Sequence, residues 1–131
     1  SGGGGGGERV LLVEDEKLVR DLIERVLQGE GYVVESAASP AEAIADHDAQ
    51  SFDLLLSDVV MPGISGPELA ARLRTANPRL AVLFISGYNE TAVAGYGVLG
   101  HAVDLLQKPF TPTVLKERVR SVLRQRPAEA G

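Results

Sequence analysis

The chain has 131 residues, 44% of them hydrophobic and 24% charged, which suits one globular domain with a single core. Thirteen basic against eighteen acidic residues leave a net charge of −5, which argues against nucleic-acid binding by the domain. Cysteine is absent, excluding disulfide and thiol chemistry, and no signal peptide or apolar stretch near the roughly 20 residues of a membrane span is visible.

Residues 1–7, Ser-Gly-Gly-Gly-Gly-Gly-Gly, read as a glycine linker or tag, 8–125 as the domain, and 126–131 as a frayed tail. The first strand is expected at about 9–14, where Val10-Leu11-Leu12-Val13 ends in Glu14-Asp15. A helix follows, with Leu18, Val19, Leu22, Ile23, Val26 and Leu27 forming one apolar stripe at spacings of three and four. A second strand at about 32–37 leads to Ser39-Pro40-Ala41-Glu42, a capping box with proline at the first helical position. The third strand, about 53–58, runs through Leu54-Leu55-Leu56 into Ser57-Asp58. Its helix starts near Ser65 and stops at Asn77-Pro78, which proline enforces.

The fourth strand, about 80–86, ends in Ser86. A weak helical segment at about 89–99 should be short, irregular or mobile, because Gly95 and Gly97 each cost on the order of 1 kcal/mol relative to alanine. The fifth strand, about 102–107, passes through Gln107 into Lys108-Pro109. The last helix opens at Thr111-Pro112 and repeats Leu115, Val119, Val122 and Leu123 on one face.

Strands rich in Val, Leu and Ile without polar alternation suit a parallel sheet covered on both faces. In such sheets ligands bind beyond the carboxyl ends of the strands, where strand order reverses. Glu14, Asp15, Asp58, Ser86 and Lys108 would meet at that edge. Taken singly, each has an ordinary role: Asp15 a helix cap, Glu14 a solvated turn residue, Asp58 a turn before Pro62-Gly63, Ser86 a turn before Gly87, and Lys108 a surface lysine. Together, three crowded carboxylates call for a cation, and Mg²⁺ takes one or two carboxylates with waters and phosphate oxygens. Asp58 can then act as nucleophile toward phosphorus, while Lys108 and Ser86 bind phosphoryl oxygens.

Val13-Glu14-Asp15-Glu16, the run from Asp58 to Gly66 (Asp-Val-Val-Met-Pro-Gly-Ile-Ser-Gly), Ser86-Gly87 and Lys108-Pro109-Phe110 resemble the receiver domain of two-component response regulators. The resemblance spans 8–125. It implies an α/β fold, (βα)5, with a doubly wound parallel five-stranded sheet of order 2-1-3-4-5 in a flavodoxin-like three-layer sandwich. It implies Asp58 as phosphoacceptor, and Mg²⁺ held by Asp15, Asp58 and the backbone carbonyl of Val60, with Glu14 acting through water. It implies Ser86 as the switch hydroxyl, Lys108 with Ser86 and Gly87 as the phosphoryl-binding set, and a cis bond before Pro109. The implied donor is a histidine kinase or histidine phosphotransfer domain. Such a domain catalyses its own phosphorylation without being a turnover enzyme.

Phe84-Ile85-Ser86-Gly87-Tyr88 and the stretch from Leu105 to Pro112 resemble in particular the C-terminal receiver of hybrid sensor histidine kinases. With no effector segment after the last helix, the chain reads as a piece of such a protein, with a stand-alone receiver as the alternative. The expected setting is cytoplasmic, as the cytoplasmic part of a membrane-bound kinase or otherwise, and the expected state a monomer or weak dimer with no membrane contact of its own.

Receivers often carry Tyr or Phe three positions before the lysine; here that position is Leu105, so an aromatic rotamer switch there is ruled out. Val60 cannot orient a hydrolytic water by hydrogen bonding, and Tyr88 could shield the site, so slow self-dephosphorylation is expected. A haloacid-dehalogenase-type phosphohydrolase would want an aspartate where Val60 stands. A nucleotide-binding domain lacks its glycine-rich turn after the first strand. A phosphorylation-independent interaction domain is the remaining alternative. Lys116, Arg120 and Arg124 read as a solvated helix face, with a docking surface as the alternative and Arg118 and Arg126 nearby. His47 and His101 show no metal-ligand spacing and read as surface residues.

Overall fold

The computed structural model describes residues 7–61, 63–87 and 104–125. Its elements in chain order are β1 (Arg9–Val13), α1 (Lys17–Gly29), β2 (Val33–Ala37), α2 (Pro40–Asp46), a 3-10 turn (Ala49–Ser51), β3 (Leu54–Asp58), α3 (Gly66–Ala76), β4 (Ala81–Ser86), β5 (Leu105–Gln107) and α4 (Pro112–Arg124). The helical segment expected at 89–99 lies outside the described residues, as do the first residues of the expected fifth strand.

The sheet has five strands, all pairs parallel, in the order β2-β1-β3-β4-β5, as expected. Strand side chains alternate between two buried layers, which is why the strands read as continuous apolar runs. Leu11, Val13, Leu55, Val82 and Phe84 pack in one core with Ala43 of α2 and Leu69, Ala70 and Leu73 of α3. Val10, Leu12, Leu54, Leu56, Leu83, Ile85 and Leu106 pack in the other with Ile23 and Leu27 of α1 and Leu115, Val119, Val122 and Leu123 of α4.

The helix starts follow their caps. Ser39, Ser65 and Thr111 each accept a hydrogen bond from the backbone amide three residues on, at 3.1, 3.2 and 3.1 Å. The reciprocal arm of the first cap is displaced by one residue: Glu42 Oε1 accepts from the amide of Ala38, not of Ser39. Asn77 does more than end α3, since its side-chain amide donates to the carbonyls of Ala49 (3.1 Å) and Phe52 (2.9 Å), tying the 3-10 turn to that helix.

Three sequence expectations need correction. The apolar stripe of α1 is too wide to face one sheet. Ile23 and Leu27 are fully buried and Val19 and Val26 pack beside them, but Leu18 is 84% and Leu22 47% exposed. Those two form a row about 100° further round the helix. His47 is no surface residue: its side chain is 13% exposed, with Nδ1 3.0 Å from Glu35 Oε1 and its ring edge-on to Phe52. Glu35 also pairs with Arg9, whose guanidinium lies over Phe52. Lys116 and Arg120 are not simply solvated, because both reach Glu30 at the end of α1, at 3.5 and 3.8 Å. Arg118 reaches Asp104 and the carbonyl of Leu105.

The split stripe has a measurable consequence. Ile23→Ala should cost about 2–5 kcal/mol through lost burial and a cavity. Leu18→Ala should stay within about 0.5 kcal/mol, as exposed substitutions do. Urea denaturation of the two variants checks this; equal losses would mean that Leu18 belongs to the core after all.

Candidate functional site at the carboxyl edge of the sheet

Because the strands are parallel, their carboxyl ends share one edge. Glu14 and Asp15 follow β1, Asp58 ends β3, Ser86 ends β4, and Lys108 follows β5 directly. Strand order reverses between β2-β1 and β1-β3, so the acids sit at the switch point where such sheets open a crevice.

Backbone bonds hold these ends together. Glu14 N–H donates to Ala37 O (3.2 Å), Val59 N–H to Ile85 O (3.0 Å) and Lys108 N–H to Ser86 O (2.8 Å). The Lys108-Pro109 bond is cis. Gly66 N–H donates to Val59 O at 2.8 Å, drawing the first turn of α3 onto the end of β3. A Cβ at Gly66 would lie 2.1 Å from the carbonyl oxygen of Asp58, so only glycine permits this approach.

Glu14 and Asp58 are buried, 0% and 4% exposed, while Asp15 is exposed. One carboxylate oxygen from each of the three lies within 4.8 Å of the others. Glu14 Oε2 and Asp58 Oδ1 have no hydrogen-bond partner, and each is 3.6 Å from Lys108 Nζ. Lys108 Nζ is also 3.6 Å from Glu16 Oε1. The other Glu14 oxygen accepts from the amide of Glu16 (3.1 Å), and Arg20 donates to the Glu14 carbonyl (2.7 Å).

Burial, and next the adjoining Glu14 carboxyl, push Asp58 up to about 9, outweighing the opposing pull of Lys108. Two buried oxygens without partners, facing an exposed third carboxylate, are what a hard divalent cation with oxygen ligands would satisfy. The donor set therefore fits Mg²⁺.

Ser86 is fully buried at the end of β4. Leu105 is partly buried, pairs across the sheet with Phe84 and packs on the α2/α3 core. Val60 is 55% exposed. Tyr88 and His101 lie outside the described residues. Sequence reasoning gave no separate role to Glu16, Arg20 or Gly66. Glu16 and Gly66 were visible within the motifs, whereas nothing local marked Arg20, which reaches Glu14 only after a turn of α1.

The response regulator receiver domain family matches residues 10–120. The chain is 36% identical over 125 residues to the transcriptional regulatory protein TcrA of Mycobacterium tuberculosis, covering 95% of this chain and 49% of that protein. It is 41% identical over 116 residues to the sensor kinase CckA of Brucella abortus, covering 87% of this chain and 12% of that protein. It thus spans about half of the first relative and a small part of the second. Among solved structures, the receiver domain of the hybrid histidine kinase CckA superposes with a TM-score of 0.71 at 41% identity, covering 88% of this chain and 98% of that one. A response regulator from Chloroflexus aurantiacus does so with a TM-score of 0.79 at 34% identity, covering 92% and 100%.

The elevated Asp58 makes stability depend on pH. Unfolded, this carboxyl titrates near its ordinary 3.8; folded, near 9. Between those values the fold retains a proton that the unfolded chain releases, so its stabilising effect is complete below about pH 4 and lost as pH rises toward 9. In metal-free buffer Asp58→Asn should flatten this decline and melt above the wild type at about pH 8. Thermal melts of both proteins across this range decide it, and parallel profiles would show that Asp58 ionises freely in the fold.

Proposed function

Since the chain belongs to the response regulator receiver domain family, we propose that Asp58 accepts a phosphoryl group from a phosphohistidine. The carrying observation is the buried Asp58 carboxylate, set among Glu14, Asp15 and the Lys108 ammonium at the sheet edge. An Asp58 oxygen bonds to phosphorus as the phosphorus–nitrogen bond to the donor imidazole breaks, and that nitrogen leaves with the electron pair. Lys108 meets the charge on the phosphoryl oxygens, the Ser86 hydroxyl donates to one of them, and Gly87 belongs to the same phosphoryl-binding set. Asp15, Asp58 and the Val60 carbonyl, with Glu14 through water, would hold Mg²⁺, which would supply the positive charge that the acids require.

The donor is a histidine kinase or histidine phosphotransfer domain. The parent is a hybrid sensor histidine kinase, a reading supported by the 41% identity to the CckA kinase. The 36% identity to TcrA supports the alternative, a response regulator. Phosphate shifts the population of two conformations through Ser86 and Lys108, without an aromatic rotamer at Leu105.

Incubation with Mg²⁺ and acetyl phosphate should add one phosphoryl group by intact mass, lost in Asp58→Asn. No adduct would favour an interaction domain, and rapid donor turnover a phosphohydrolase. With aliphatic Val60 at the second position after Asp58 and an aromatic residue, Tyr88, at the second position after Ser86, the phosphoryl half-life should be long. Val60→Asn and Tyr88→Ala should each shorten it several-fold, and a wild type that decays as fast as both variants would remove that role from the two residues.

A further inference from the structure

Glu16 has no part in the acceptor chemistry above. It occupies the N-cap of α1, where a side-chain oxygen normally accepts from the first-turn amides, yet its side chain makes no capping bond. That carboxylate lies 3.6 Å from Lys108 Nζ instead, with the Glu16 side chain 66% and the Lys108 side chain 27% exposed. The Glu16 amide is bonded to Glu14 Oε1, so the backbone that carries it is fixed to the acidic site. Lys108 therefore lies between two buried carboxylates and an exposed one, all at 3.6 Å.

The charge balance gives that exposed carboxylate a consequence. With a divalent cation bound in place of the Asp58 proton, Glu14, Asp15, Glu16 and Asp58 contribute −4, Lys108 +1 and the cation +2, so −4 + 1 + 2 = −1 remains. Without Glu16 the sum would be zero, and the Glu16 side chain, 66% exposed against 27% for Lys108, places its charge nearer to solvent than the lysine.

We propose that Glu16 is a specificity-determining residue for the phosphodonor, a carboxylate that holds Lys108 toward solvent and repels small free anionic donors. A donor carried on a protein surface offsets that repulsion with its docking contacts. This rests on the phosphoacceptor reading of Asp58. With acetyl phosphate the Asp58 oxygen bonds to phosphorus, the bond from phosphorus to the acetyl oxygen breaks, and acetate leaves with the electron pair.

The test measures the second-order rate of adduct formation by intact mass for the full chain at saturating Mg²⁺. Wild type, Glu16→Gln and Glu16→Asp are compared with acetyl phosphate and with phosphoramidate, which is less negative at neutral pH. Removing one charge near an incoming dianion should speed Glu16→Gln about three- to tenfold with acetyl phosphate at low salt, fading toward wild type near 1 M salt. The gain should be smaller with phosphoramidate, and Glu16→Asp should stay near wild type. A Glu16→Gln rate equal to or below wild type, a gain that salt leaves unchanged, or equal gains with both donors overturns the proposal. A protein that forms adduct while failing these tests refutes the Glu16 role alone; no adduct in any variant refutes the acceptor reading and this role with it.

Discussion

Everything at the functional edge depends on keeping two buried carboxylates beside one ammonium. Glu14 and Asp58 are withdrawn from water and face Lys108 at 3.6 Å, a separation at which attraction is strong but no direct hydrogen bond forms. One lysine cannot satisfy both, and Asp58 responds by holding its proton far above the ordinary carboxylate range. The same imbalance is one that a hard divalent cation with oxygen ligands would relieve.

Such an arrangement endures only on a rigid support. β1 and β3 are central strands packed on both faces, and their register brings Val13 beside Ser57 and Asp58 beside Ile85. The charges thus ride on strands buried almost throughout their length. Gly66 closes the remaining gap by letting α3 begin against the Asp58 carbonyl, a contact that any side chain would prevent.

The packing behind Ser86 differs from the charged edge itself. Ser86 sits two residues beyond Phe84, and Phe84 pairs with Leu105 on the same sheet face, in the core shared with α3. Aliphatic Leu105 fills that place, so on the proposed reading a conformational response would pass through Ser86, Lys108 and the packing around Phe84 without an aromatic ring at this position. The exposed Leu18 and Leu22 show a related economy: α1 buries only the row that meets the sheet and leaves its other apolar row to solvent.

Local sequence determined the strands, because runs such as Leu54-Leu55-Leu56 can be satisfied only when both faces are covered. It also determined the helix starts, because Ser39, Ser65 and Thr111 each precede a proline by one or two residues and cap an amide three residues on. It placed Glu14, Asp15, Asp58, Ser86 and Lys108 at strand ends, where the parallel topology alone brings them together. Tertiary structure decided what periodicity could not. It chose which row of α1 is buried, drew His47 onto Glu35, turned Lys116 and Arg120 toward Glu30, and set Glu16 against Lys108 in place of a helix cap. Each of these outcomes depends on distances between segments far apart in the chain. A spacing of three or four residues records the face of a helix, but not what that face will meet.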